Sequence, residues 1–182
     1  MRWLMVALLG FAAACGQSAP PQEPTPAPAD IGSVAPAPPL PAAVALDPAM
    51  GAILPAEKAQ RFSQQCSRIS PSPVTGTWAP TQADVAALEA VLGAELATQL
   101  LPEAGAKPED YYRQYAGLVT GGRKIIYVNG LHRDAVERAP EAQQNSWKTD
   151  PAMICDGGSI TFGVEYDPAS KTFSNFAFNG RV

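Results

Sequence analysis

The sequence has few of the residues on which metal sites and redox sites depend. Its 182 residues include one histidine, His132, and three cysteines. A structural zinc site takes about four nitrogen or sulfur ligands, and a thioredoxin-type redox site takes a Cys-x-x-Cys pair, which this chain does not contain. We therefore predict that the protein holds no metal and no cofactor.

Positive charge is also sparse, with 13 Lys and Arg residues against 17 Asp and Glu residues and a formal net charge of −4. The largest basic cluster after residue 55 is Arg123-Lys124. Proteins that bind nucleic acid carry a concentrated basic patch that neutralises phosphates. We therefore expect no nucleic-acid partner.

The chain begins with an apolar run that is too short to cross a bilayer as a helix, which takes roughly 20 residues. The run, Leu4 to Phe11, follows a basic residue, Arg2, and precedes the small residues Ala12-Ala13-Ala14. This order is typical of a secretory signal peptide. Residues 1–15 are therefore predicted to be a signal peptide.

Ala12-Ala13-Ala14-Cys15 resembles the lipobox of bacterial lipoproteins, in which small residues precede a cysteine that becomes the lipidated first residue of the mature chain. That family usually has Leu where this chain has Ala12, and the resemblance covers residues 1–15 only. It implies a diacylglyceryl group and an N-acyl chain on Cys15, and stable anchoring takes more than one acyl chain. Because Gly16 is not Asp, it also implies the outer membrane, facing the periplasm. The alternative is ordinary cleavage after Ala14.

Proline is concentrated in one region, since eleven of the 19 prolines lie between Gly16 and Pro55. Such a segment has too few large apolar residues to offset the entropy of ordering, and proline favours extended polyproline II. Residues 16–54 are therefore predicted to be a disordered tether between the membrane and a domain at 55–182. A proline-rich docking ligand at Pro36-Ala37-Pro38-Pro39 is the alternative.

Cys66 and Cys155 are the two cysteines that remain for the domain. In an exported protein an even pair indicates a disulfide. The alternative, a metal or redox pair, lacks the additional ligands and the short spacing that such sites use. We therefore predict that these two cysteines form a structural disulfide.

Two segments have the pattern of helices. The Pro-Ala-Glu-Lys run from Pro55 predicts a short helix. Thr81 and Asp84 form a capping box, which predicts the start of a longer helix that ends at Pro102. Its apolar residues recur at helical spacing and are expected to face the core: Val85, Leu88, Leu92 and Leu96.

Two pairs of strands follow these helices. Aromatic and β-branched runs at 111–119 and 123–129 flank Gly121-Gly122, which predicts a hairpin. Alternating apolar residues at 159–166 and 172–178 flank an Asp-Pro turn, which predicts a second hairpin.

This order of elements predicts an α+β domain in which one or two helices pack on a four-stranded antiparallel sheet. The order resembles that of cystatin-like domains, as an analogy of element order only. Between the hairpins, residues 130–154 show no clean periodicity. A loop of this length is usually functional or tied down, and Cys155 is expected to fix its far end.

The candidate binding residues are aromatic, amide and guanidinium groups: Arg113, Tyr127, Asn129 and Trp147. Tyr, Trp and Arg dominate the binding energy of protein interfaces. We expect an exposed binding face on the first hairpin and the Trp147 loop. The alternative is that half of these side chains face the core, because Tyr127 alternates with apolar neighbours.

The leading hypothesis is a lipid-anchored envelope protein with a small periplasmic domain that binds or inhibits a partner. The partner would be another envelope protein or a cell-wall component, and the lipid would be the contact with the membrane. No residue is assigned a catalytic role, and whether the protein is an enzyme stays open. The alternative is a small envelope hydrolase that uses Asp156 or Glu165 with His132 as acid and base. A purely structural lipoprotein is a third possibility.

Overall fold

A computed structural model of the protein describes residues 47–181, apart from the side chains of residues 101–104. In this part of the chain the strands and α-helices are, in order, β1 (Gly51–Ile53), α1 (Ala56–Ala59), β2 (Val74–Trp78), α2 (Gln82–Ala104), β3 (Tyr111–Thr120), β4 (Arg123–His132), α3 (Arg133–Glu137), β5 (Thr161–Asp167) and β6 (Thr172–Phe178). Short 3-10 helices lie between them: Pro48–Met50, Gln60–Ser63, Pro108–Asp110, Glu141–Gln143, Ser146–Lys148 and Gly158–Ile160.

The strands of the described residues form one six-stranded sheet, in which five strands follow the order β1-β3-β4-β5-β6 and the sixth, β2, pairs with β3. β3 and β4 form one antiparallel hairpin, β5 and β6 form another, and β4 pairs antiparallel with β5. Two short strands share the other edge of β3, where β1 pairs in parallel and β2 pairs antiparallel. β3 and β4 are therefore interior strands.

Helix α2 covers one face of the sheet, here called the helix face and defined by Tyr115, Val128 and Val164. The helix begins with the predicted capping box. The Thr81 hydroxyl accepts a hydrogen bond from the Asp84 amide at 3.2 Å, and the Asp84 carboxylate accepts one from the Thr81 amide at 2.8 Å. The predicted apolar stripe lies in the core and extends by one turn: Val85, Leu88, Leu92, Leu96 and Leu100.

The opposite face, here called the loop face and defined by Tyr127 and Asn129, is covered by α1 and by irregular segments. Phe62, in the 3-10 turn after α1, packs on Tyr127 with ring centroids 5.2 Å apart. Further along the sheet, Trp147 packs with Leu131. Because both faces are covered, β3 and β4 bury the side chains that point to the helix face as well as those that point to the loop face.

The predicted α+β class and both antiparallel hairpins are confirmed. The sheet is larger than predicted, because β1 and β2 add two strands of three and five residues. Strands this short, rich in glycine and close to prolines, carry too little alternation to be recognised. The predicted tether includes residues 47–54, but β1 pairs with β3 at Arg113–Tyr115, so these residues belong to the domain.

Helix α2 continues past Pro102 and ends at Ala104, and the residue that caps its C-terminus, Gly105, has a φ of 61°. The prediction that Pro102 ends the helix is therefore wrong. A proline removes one backbone hydrogen bond, and the packing of the apolar stripe up to Leu100 outweighs that loss.

The predicted signal peptide, Cys15 and residues 16–46 of the predicted tether lie outside the described residues. Among residues 47–181, no helix combines the length and the hydrophobicity needed to span a membrane.

Candidate functional site

The four predicted binding residues lie inside the domain. Arg113 and Asn129 are fully buried, and Tyr127 and Trp147 are 2% and 4% exposed. The prediction that they form an exposed binding face is therefore wrong. The physical reason is that the sheet is covered on both sides. Arg113 is buried under α2 on the helix face, while Tyr127 and Asn129 are buried on the loop face.

Arg113 is held by an ion pair and by three hydrogen-bond acceptors. Its guanidinium contacts the Glu89 carboxylate of α2 at 3.1 Å. It also donates to the Tyr115 hydroxyl at 2.9 Å and to the carbonyl oxygens of Tyr111 at 2.8 Å and Asp47 at 2.7 Å. Burial raises the pKa of Tyr115, so its hydroxyl stays protonated and donates to Glu89. This cluster joins β3, α2 and the first described residue.

Gln114 and Asn129, paired across β3 and β4, hold the long segment after α3 against the loop face. The Asn129 amide nitrogen donates to the Gln114 side-chain oxygen at 2.8 Å and to the carbonyl of Ala152 at 3.0 Å. The Gln114 amide nitrogen donates to the carbonyls of Trp147 and Asp150, and its oxygen accepts from the Ala152 amide at 3.0 Å. These buried amide groups therefore hold the segment against the loop face of the sheet.

Arg68 continues this polar network at the other end of the loop face. Its guanidinium donates to the Tyr127 hydroxyl at 2.9 Å, to the Asn179 side-chain oxygen at 2.6 Å and to the Asn129 side-chain oxygen. Asn179 in turn donates to the carbonyl of Asp156 at 3.0 Å. Burial raises the pKa of Tyr127, and the Arg68 charge opposes that shift. Arg68 therefore fixes the irregular segment that carries it onto the sheet.

That segment, residues 64–73, is here called the disulfide loop. Cys66 is bonded to Cys155, 89 positions further along the chain, which confirms the predicted disulfide. The next residue, Ser67, accepts a hydrogen bond at its carbonyl from the Gly180 amide at 2.9 Å. The disulfide loop is therefore attached both covalently and through its backbone.

Ile69 projects from the disulfide loop into solvent. The residue is 72% exposed, against 42% for Val91 and 37% for Ile160, the other exposed large apolar residues among those whose side chains are described. Beyond it the chain is fixed again, because the Ser70 hydroxyl accepts a hydrogen bond from the Gln65 amide at 2.7 Å. The loop therefore presents one aliphatic side chain on a backbone that is held on both sides.

Two adjoining clefts flank the Trp147 indole and share Val136 as a second wall, with volumes of about 220 and about 110 Å³. The larger is also lined by Lys148, Glu137 and Tyr112, whose hydroxyl donates to Glu137 at 3.3 Å. Pockets for small molecules usually exceed roughly 300 Å³. We therefore assign these clefts no ligand.

The structure does not bring His132 and Glu165 together. Glu165 pairs with Tyr127, and His132 lies five positions after Tyr127 on β4, so the two side chains are on opposite faces. The His132 ring packs edge-on against Tyr111 on the helix face, with centroids 5.3 Å apart. Asp156 lies beside the disulfide loop. Acid and base must reach one substrate, so the pairing of Glu165 with His132 is contradicted.

Sequence analysis missed several residues that build this region: Arg68, Ile69, Gln114 and Asn179. The pairing of Gln114 with Asn129 could have been predicted, because each of the two predicted strands carries one amide side chain among apolar neighbours. Arg68, Ile69 and Asn179 lie in irregular or terminal segments, where no periodic pattern marks a residue as buried or exposed. Among the described side chains, which are those of residues 47–100 and 105–181, no group of His, Cys, Asp and Glu is arranged to hold a metal ion.

Comparison with protein-family models, curated proteins and solved structures gives no match to this chain. The likeness to cystatin-like domains therefore stays an analogy of element order. What the domain does has to be argued from its own residues, and the disulfide loop with Ile69 is its most distinctive surface feature.

Proposed function

We propose that this chain is a lipid-anchored protein of the bacterial cell envelope whose α+β domain binds another envelope protein through the disulfide loop. Cys15 would carry the lipid in the outer membrane, and residues 16–46 would tether the domain on the periplasmic side. The anchor is supported by the signal-peptide pattern of residues 1–15. An oxidising compartment is supported by the Cys66–Cys155 disulfide.

The observation that carries the binding role is the exposure of Ile69 on a fixed backbone. A large aliphatic side chain that is 72% exposed gains free energy when a partner buries it. Its neighbours Arg68 and Ser70 are already held by hydrogen bonds, so little conformational entropy remains to be lost on binding. A few side chains that a partner buries in well-packed pockets supply most of the binding energy of a protein interface.

The anchor is tested by growing cells that express the full chain with a clickable fatty acid. We expect label on the wild-type chain and on a Cys66→Ser/Cys155→Ser control, which keeps Cys15. The Cys15→Ser variant should lose both the label and its sedimentation with membranes. Label on the Cys15→Ser variant would contradict the anchor.

The binding role is tested with a photo-crosslinking side chain placed at position 69 or, as a control, at position 91 on the outer surface of α2. Both positions are exposed, since Ile69 is 72% and Val91 is 42% accessible in the wild-type chain. We expect a discrete crosslinked species in intact cells from position 69 only. Equal crosslinking from both positions would indicate unspecific contact and would contradict the proposal.

A further inference from the structure

β6 is the last strand of the sheet that the described residues form, and within them it pairs with β5 alone. Edge strands of natural proteins often carry charged side chains or proline, which hinder further pairing. The sequence of β6, Thr-Phe-Ser-Asn-Phe-Ala-Phe, contains neither. The outward-facing amide and carbonyl groups of its backbone therefore have no strand partner in this part of the chain.

A bulge in β6 changes the face to which its side chains point. Between two paired positions β5 advances by two residues and β6 by three, and Asn175, with a φ of 55°, lies at this point. Residues 173 and 178 are an odd number of positions apart, so in a regular strand they would lie on opposite faces. The bulge places both of them, together with Phe176, on the helix face.

These three side chains are here called the phenylalanine row: Phe173, Phe176 and Phe178. The Phe176 ring stacks on the Phe162 ring with centroids 5.4 Å apart, and it packs edge-on against Phe178 at 5.1 Å. Phe173 packs on Tyr166 with centroids 5.0 Å apart. All three residues are only partly buried. The core therefore holds the row in place while the row still presents apolar surface to solvent.

Two adjoining clefts lie along β6, between the phenylalanine row and α2. Their volumes are about 340 and about 300 Å³, and they share Phe176 and Gln99 as walls. Phe178 lines the first cleft and Glu95 lines the second. Alternate side chains of an extended chain point to the same side and are roughly 7 Å apart. The two clefts are therefore arranged to receive two alternate side chains of a strand that pairs with β6.

The two clefts differ in charge. Among the described side chains, Glu95 is the one charged group that lines either of them, and it accepts a hydrogen bond from the Gln99 amide nitrogen at 3.1 Å. The ion pairs of the described residues join other carboxylates, so Glu95 has no basic partner among them. The second cleft therefore suits a basic side chain, and the first suits an apolar one.

We propose that β6 accepts a short extended segment of a partner protein as an additional strand. The segment carries an apolar side chain for the first cleft and, two positions away, a Lys or Arg for the second. In this mode of recognition the backbone hydrogen bonds give affinity, and the pockets for alternate side chains give specificity. The site contains no residue of the disulfide loop, so the proposal does not rest on the binding function proposed above.

A second copy of β6 fits this edge less well than such a segment does. β6 contains no basic residue that would meet Glu95 in the second cleft. The bulge at Asn175 also divides the edge into two short regular stretches. A short strand of another protein avoids both difficulties.

The proposal is tested with the purified full chain and a fluorescent nine-residue peptide of threonine. The peptide carries a central leucine and a lysine two positions away on each side, so that it fits in either direction. We expect fluorescence anisotropy to show binding, and hydrogen exchange to slow in β6 but not in β1 and β2 at the other edge. The absence of binding up to about 1 mM peptide overturns the proposal.

Charge reversal at Glu95 tests the chemistry of the second cleft. Glu95→Lys should weaken binding of the lysine peptide about 10-fold, and should create binding of a peptide with glutamates in place of the lysines. Such a gain of binding cannot result from a loss of folding. Glu141→Lys, the same change at an exposed residue outside the clefts, is the control and should alter neither affinity. Equal binding of the two peptides by the wild-type chain overturns the proposal.

Methylation of the peptide backbone distinguishes strand addition from apolar contact alone. In an added strand, alternate N–H groups point to the neighbouring strand and the others point away from it. A series of peptides, each with one methylated nitrogen, should therefore lose affinity at every second position. Affinity that changes without this alternation overturns strand addition.

Sedimentation of the chain without peptide tests the second copy as the occupant. A dimer that the lysine peptide dissociates would show that β6 pairs with itself and would overturn the proposal. We expect no such dimer. None of these outcomes bears on the crosslink expected from position 69, because Ile69 lines neither cleft.

Discussion

Arg113 shows how a charged residue in a central strand is accommodated in this fold. Its side chain is fully buried, and one carboxylate, from Glu89, neutralises it at 3.1 Å. A buried ion pair adds little net stability, but removing one partner leaves an uncompensated charge, which costs several kcal/mol. The pair is therefore a strong constraint on how α2 sits on the sheet.

We expect Glu89→Ala to lower the free energy of unfolding by about 3 kcal/mol, because it leaves the Arg113 guanidinium buried without a counter-charge. The Glu89→Ala/Arg113→Met double variant should recover much of that loss, since Met fills the space without a charge. Urea unfolding measures both values. Glu95→Ala on the same helix, which loses only a hydrogen bond to Gln99, is the control. A double variant no more stable than Glu89→Ala would contradict this account.

Helix α2 is fixed at its start by a local device and along its length by packing. The Thr81 amide and hydroxyl both donate to Asp84, and these bonds lower the pKa of the Asp84 carboxyl. A carboxyl whose pKa is lower in the folded chain than in the unfolded chain stabilises the fold above its unfolded pKa. That contribution is lost as the pH falls through the folded pKa.

We expect Thr81→Ala to lower the stability of the domain by about 1 kcal/mol at neutral pH, because the hydroxyl that caps the helix is gone. The difference from the wild-type chain should narrow as the pH falls below the folded pKa of Asp84, where the capping carboxylate is protonated in both proteins. Denaturant unfolding at several pH values measures this. Thr98→Ala, an exposed change in the same helix, should stay within about 0.5 kcal/mol of the wild-type chain. A pH-independent difference would argue against the role of Asp84.

At the scale of the whole molecule, the disulfide joins the two irregular segments that cover one end of the loop face. It closes a loop of 89 positions between Cys66 and Cys155. In the chain-entropy model a loop of this length stabilises the fold by roughly 4 to 5 kcal/mol, because it restricts the unfolded chain. The same bond fixes the loop that carries Ile69.

We expect the Cys66→Ser/Cys155→Ser variant to lose about 4 kcal/mol of unfolding free energy while the sheet stays intact at low denaturant. Circular dichroism during urea unfolding measures the loss, and Cys15→Ser is the control, because it leaves the Cys66–Cys155 bond in place. A loss below about 1 kcal/mol would mean that the hydrogen bonds of Arg68 and Asn179 already hold the disulfide loop.

The sequence by itself determined the elements whose signal is local. These are the capping box at Thr81, the apolar stripe of α2 and the alternation in the two hairpins. The residues that form each of these signals lie close together in the sequence. The pairing of Cys66 with Cys155 followed from their being the only two cysteines after Cys15.

Only the tertiary structure decided which polar residues are inside and which apolar residue is outside. The sequence around Asn129 would look the same whether its side chain faced solvent or a covering segment. It is buried because Arg68 and the segment at Ala152, distant in the sequence, pack over it. Ile69 is exposed for the converse reason, since bonds to its neighbours hold the backbone and turn its side chain away from the core.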